Sequence, residues 1–113
     1  MSCFIFNRNK LIRIPMKDIV LIKAAGPFTN IYTVNGEKYP TNLTLKEFEE
    51  ILGDKEFCRV HRSSIIALPR IQSIEARVVD LGDRQVAVSR TYYPLLLSKI
   101  DKFFKVKTKK KKK

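Results

Sequence analysis

Residues 30–41 read Asn-Ile-Tyr-Thr-Val-Asn-Gly-Glu-Lys-Tyr-Pro-Thr, and their order decides the class of fold. Asn35 and Gly36 are the pair that a two-residue type I′ turn selects, because both central residues of that turn take positive φ. They stand between two short runs of β-formers, residues 30–34 and 37–41. The stretch therefore predicts a β-hairpin, with Tyr32 paired to Tyr39 across it.

The same signals recur on either side. Upstream, residues 3–6 and 11–14 are short apolar runs around a polar break at residues 7–10. Pro15 and Asp18 bracket a turn. Residues 19–25 form an apolar run rich in branched side chains, of a length that suits a buried strand, and Gly26 and Pro27 interrupt it. Downstream the period changes. Thr44 caps a helix, Glu47 completes a capping box, and Leu43 and Phe48 have the spacing of a hydrophobic staple. Leu45, Phe48 and Leu52 share one helical face, and Gly53 ends it. Strands return at residues 57–61, 64–68, 71–76, 77–81 and 85–89, with Gly82 and Asp83 turning the last pair. Tyr93, Leu96, Leu97, Ile100 and Phe104 then fall on one stripe of a second helix, residues 92–104. Pro94 is tolerated only in its first turn. The reading is a mainly β domain with two helices over residues 1–104.

At 113 residues the chain has room for one modest core. Its 23 lysines and arginines exceed its 11 acids, for a net charge of +12. Residues 105–113 hold seven lysines and no acid and are expected to be a disordered polylysine tail. What precedes them is still basic. Such a field draws polyanions, nucleic acid first and an anionic membrane surface as its rival. No apolar run approaches the ~20 residues that span a bilayer. The first seven residues lack the layout of a signal peptide. A cytoplasmic chain with no membrane partner is expected.

Enzyme chemistry finds little to stand on. The four glycines are dispersed, so there is no phosphate loop and no dinucleotide fingerprint. Cys3 and Cys58 have no metal-ligand spacing and read as reduced thiols. His61, the single histidine, lies within a strand-like run and reads as a hydrogen-bonded structural group. No catalytic residue, metal or cofactor is expected.

Two stretches carry a binding signal. Residues 57–66 pack Arg59, His61 and Arg62 between β-formers and follow them with Ser63 and Ser64. An edge strand with solvated arginines would look the same. The sharper reading puts Arg62 at the strand end, where a guanidinium can make a bidentate contact with guanine O6 and N7. Arg59, two residues earlier, shares the face of His61 and should support the sheet or touch phosphate. The second stretch is residues 86–92, where a strand gives way to a helix around Ser89 and Arg90. Free amides at a helix start attract phosphate, and an arginine beside them can follow the backbone or reach a base edge.

Together these features resemble the LytTR DNA-binding domains, output modules of many bacterial response regulators. The resemblance covers residues 10–103 and rests on four marks in order. They are residues 14–19 leading into the apolar strand; Leu43, Leu45, Phe48 and Leu52; Phe57, Arg59, His61, Arg62 and Ser63; and Val88, Ser89 and Arg90. It implies an elongated arrangement of small, mostly antiparallel sheets with two helices, whose loops enter successive major grooves of duplex DNA. It implies base contacts from Arg62, Arg90 and Asn30, with Asn30 in a loop over residues 26–30 whose reader is Thr29 or Asn30. Thr29, Ser63, Ser89 and Arg59 would contact phosphate or support the readers. It further implies paired direct repeats, one module on each, by a chain that is monomeric in solution or weakly dimeric on DNA. Ser64 and Ala67 depart from the family's pattern, which often has an aromatic residue and an asparagine there. The alternative is a β module for RNA or single strands, which needs exposed stacking aromatics; Phe28, Tyr32 and Tyr39 are the candidates.

Overall fold

The structure is a computed structural model that describes residues 1–104. The expected polylysine tail, residues 105–113, lies outside the described residues.

Ten strands and two helices follow in the order β1 (Ser2–Asn7), β2 (Lys10–Pro15), β3 (Ile19–Ala25), β4 (Phe28–Thr33), β5 (Lys38–Thr41), α1 (Leu45–Leu52), β6 (Phe57–His61), β7 (Ser64–Ala67), β8 (Ser73–Glu75), β9 (Val78–Asp80), β10 (Gln85–Ala87) and α2 (Tyr93–Phe103). They build three antiparallel sheets: a hairpin β1-β2, a central five-stranded sheet β5-β4-β3-β7-β6, and a three-stranded sheet β10-β9-β8. The radius of gyration is 14.5 Å and the extents are 55 × 27 × 25 Å. A compact chain of this size would have a radius of about 13 Å. The fold is mainly β and elongated, as expected.

The central sheet is covered on both faces, which explains why residues 19–22 are an unbroken apolar run rather than an alternating one. On one face Ile22, Ile31, Phe57 and Ile65 pack with Phe48 and Leu45 of α1 and with Cys3, Ile5 and Ile14 of the first hairpin. On the other, Leu21, Val60 and Ile66 pack with Val79 and Val86 of the small sheet and Leu96 of α2. The outer face of the first hairpin leaves Phe4, Phe6 and Leu11 exposed.

Helix α1 is terminated as its sequence predicts. Glu47 N–H donates to Thr44 Oγ1 at 3.1 Å, and Thr44 N–H to Glu47 Oε1 at 2.8 Å. Gly53, at φ 75°, donates its N–H to Glu49 O and closes the helix. In α2, Tyr93, Leu96 and Ile100 join the core, and so does Phe104 just beyond the helix, but Leu97 is 42% exposed and is not part of the stripe.

Two turns differ from expectation. The β4–β5 connection is a three-residue loop over residues 34–36, with Thr33 N–H donating to Glu37 O and Gly36 N–H to Thr33 O, both at 3.0 Å. Gly36 takes a φ of 80°, whereas Asn35 is not among the residues at positive φ. The extra residue shifts the register, so Tyr39 faces Ile31 and Tyr32 faces Lys38. The two-residue turn with paired positive φ occurs instead between β8 and β9, at Ala76 (52°) and Arg77 (58°). Neither residue favours that region; Val88 N–H bonds the Arg77 carbonyl at 2.8 Å and holds it there.

Candidate nucleic-acid interface

The tip of the β6–β7 hairpin is a two-residue turn, Arg62 and Ser63, with a register irregularity at Val60 just before it. Neither turn residue takes positive φ. A turn of that hand splays its strands, and the bulge restores the twist. His61 locks the turn from inside. Its Nδ1 lies 3.2 Å from the backbone N of Ser63 and 2.9 Å from Ser63 Oγ. An amide N–H can only donate, so Nδ1 is the acceptor. Ser63 also accepts from Ala24 N–H through its carbonyl at 2.9 Å, which fastens the turn to β3. Arg62 is left exposed at the tip.

Arg59 lies beneath that tip. Its Nε donates to His61 O at 2.9 Å and its Nη2 to Arg62 O at 2.6 Å, while Nη1 meets Glu49 Oε1 of α1 at 2.9 Å. The guanidinium carbon sits 5.9 Å from the centre of the Tyr92 ring. The Arg59 side chain is only 16% exposed.

Ser89 and Arg90 precede α2. Ser89 N–H donates to Val60 O at 2.8 Å, and its carbonyl accepts from the amides of Tyr92 and Tyr93 at 3.1 and 3.0 Å. Its hydroxyl accepts from Tyr92 N–H at 3.3 Å. Ser89 thus closes a turn ahead of the helix proper. Arg90 is exposed.

Asn30 and Thr29 are not where a loop reader would be. The β3–β4 connection is only residues 26–27, and Asn30 is a strand residue between Lys23 and Pro40, 7% exposed. Thr29 is 6% exposed and accepts the Thr41 hydroxyl through its carbonyl at 2.9 Å. Phe28 extends the strand beyond the break that Gly26 and Pro27 signal, which is why the loop is shorter than expected. Gly26, Pro27, Phe28, Thr29, Arg59 and Arg62 do line one groove of 450 Å³, so the first loop and the Arg62 turn are neighbours. Of the aromatic candidates for stacking, Phe28 is 51% exposed, while Tyr32 lies 4.2 Å beneath the Arg84 guanidinium and Tyr39 is half-buried with its hydroxyl on Glu37.

Sequence reasoning did not single out Lys23 and Arg84. They line a cleft of 160 Å³ together with His61, Ser63 and Gln85. Lys23 is the exposed residue after four buried ones, a signal that was legible; the stacking of Arg84 on Tyr32 joins separate sheets and was not.

A basic, elongated β domain with two exposed arginines on adjoining turns is built to meet a polyanion. The model of the LytTr DNA-binding domain matches residues 9–101, and the chain belongs to that family. It is a DNA-binding domain. The structure is similar to the LytTr DNA-binding domain of a methyl-accepting/DNA response regulator from Bacillus cereus, with a TM-score of 0.78 and 20% identity over 88% of this chain and 95% of that one. In sequence it is similar to two heme-containing CO-sensing transcriptional regulators of Paraburkholderia xenovorans (strain LB400), RcoM 2 at 34% identity and RcoM 1 at 32%. Each match covers 77% of this chain and 35% of the relative, so the chain spans about a third of their length. Among the described residues no helix is long and apolar enough to cross a membrane.

Proposed function

We propose that the chain regulates transcription by binding specific duplex DNA sequences, with Arg62 and Arg90 reading base edges in the major groove. The observation that carries this is the hydrogen bond from Ser89 N–H to Val60 O, which fastens the turn bearing Arg90 to the strand that leads into the Arg62 turn, while both side chains stay exposed. A bidentate guanidinium contact discriminates by about 1–3 kcal/mol against a wrong base, so two of them supply most of a modest specificity. Arg59, Ser63 and Ser89 hold the two turns. Thr29 and the buried Asn30 fix the first loop beside Arg62 rather than reading a base. The chain works in the cytoplasm on paired direct repeats, one module on each, as a monomer in solution that pairs weakly on DNA.

The test begins with selection of binding sequences from a pool of random duplexes. Titrations then compare the selected duplex, its scramble, its single strands and anionic vesicles. Preference for the selected duplex, lost in Arg62→Ala and Arg90→Ala with melting temperatures little changed, is the expected result. Tighter binding to single strands would favour the stacking module. Equal losses on both duplexes would reduce the arginines to phosphate clamps.

A further inference from the structure

Glu49 is an acidic residue beside a turn that meets a polyanion, where simple electrostatics would remove it. Its side chain is 44% exposed, one helical turn after the buried Leu45, and its Oε1 is 2.9 Å from Arg59 Nη1. An ion pair this open to solvent adds little to stability. Its geometry points elsewhere. The guanidinium of Arg59 already donates to His61 O and Arg62 O, the two carbonyls that shape the turn below the exposed Arg62. Glu49 takes the remaining edge of the fork, so every nitrogen of the guanidinium is engaged. Tyr92, two residues after Arg90, lies under the same guanidinium. One side chain thus touches α1, the Arg62 turn and the start of α2.

We propose that Glu49 determines specificity by positioning Arg59, a role that rests on the reading of Arg62 and Arg90 as base readers. The carboxylate holds the guanidinium under the turn and keeps it from swinging out to a DNA phosphate. Released, Arg59 would gain a backbone contact blind to sequence and lose part of its grip on the carbonyl of Arg62. The two effects have opposite signs on the two kinds of DNA. A positioning residue for a rigid reader is the support that a base contact of fixed geometry needs.

The experiment uses the full chain and a duplex selected from a random pool by the wild-type protein, with its scramble as control. Wild type, Glu49→Ala, Glu49→Gln and Arg59→Lys are titrated on both, with thermal melts alongside. Glu49→Ala is expected to bind the scramble as tightly as wild type or more so, yet to lose roughly three- to thirtyfold of its preference for the selected duplex. Glu49→Gln keeps an acceptor and removes only the charge, so it should tighten both duplexes alike and keep most of the preference. Arg59→Lys keeps the charge and loses the fork, and should match Glu49→Ala in lost preference. Identical behaviour of the Ala and Gln variants would overturn the proposal, since charge alone would then explain both. Unchanged preference in Glu49→Ala would also overturn it, as would a loss of preference accompanied by a large fall in melting temperature. If wild type shows no preference while still binding duplex, the base-reading assignment fails and this proposal goes with it.

Discussion

The backbone N–H of Ser89 donates to the carbonyl of Val60 at 2.8 Å, so the turn that carries Arg90 is fastened to the strand leading into the Arg62 turn, far away in sequence. Groups joined in this way respond to each other's removal. Arg62→Ala and Arg90→Ala should each weaken binding to the selected duplex by about 1–3 kcal/mol, and noticeably less to a scramble. The double variant should depart from the sum of the singles by about 0.5 kcal/mol or more. A double-mutant cycle read by titration measures this; strict additivity would mean that the two turns act independently.

Residues 105–113 bring seven lysines and no acid. Each lysine that meets a phosphate should steepen the log–log salt dependence of binding by about 0.9. Deleting the segment should therefore flatten that dependence and weaken selected and scrambled duplexes by similar factors. Loss confined to the selected duplex would make the segment a reader.

Neighbouring leucines of α2 separate core from surface. Leu96 is fully buried against Val79 and Val60, whereas Leu97 is 42% exposed. Leu96→Ala should cost about 2–5 kcal/mol and Leu97→Ala within about 0.5 kcal/mol. Chemical denaturation of both variants checks the assignment, and comparable losses would contradict it.

Cys3 and Cys58 are free and buried, and burial pushes both thiols above their usual range. The thiolate is the reactive form, and at neutral pH the folded protein should hold very little of it. A thiol reagent should label the native chain slowly and the denatured chain fast. Rapid labelling of both thiols under native conditions would contradict their placement.

Local chemistry was the most legible part of the molecule. The capping box at Thr44 and Glu47 needs only residues within one turn, and it formed as written. The long strand β3 was readable because two covered faces leave an unbroken apolar run. The turns were harder. Asn35 and Gly36 suit a two-residue turn, yet the loop takes in Val34, and Gly36 alone uses the left-handed region. Ala76 and Arg77 carry no turn signal at all; their conformation is held by Val88, eleven residues on, which no local reading supplies. At the candidate site the exposed Arg62 and Arg90 were legible because each stands at the end of a recognisable element. Asn30 was misplaced because strand β4 begins two residues before it, inside what reads as loop. The role of Glu49 was invisible, since its partner is on a strand beyond the next connection.

The fastening of β6 has a consequence for how the protein behaves in company. β6 ends the order of the central sheet, and an outer strand with free polar groups invites another chain to add to it. Here Val60 O is taken by Ser89 N–H and Phe57 O by Lys99 Nζ at 2.9 Å, so both the approach to α2 and α2 itself lie along that margin. A strand sealed in this way offers a poor template for its own copies. Undoing the seal at Ser89 should free that margin to pair with other copies, and bring precipitation on before it brings unfolding.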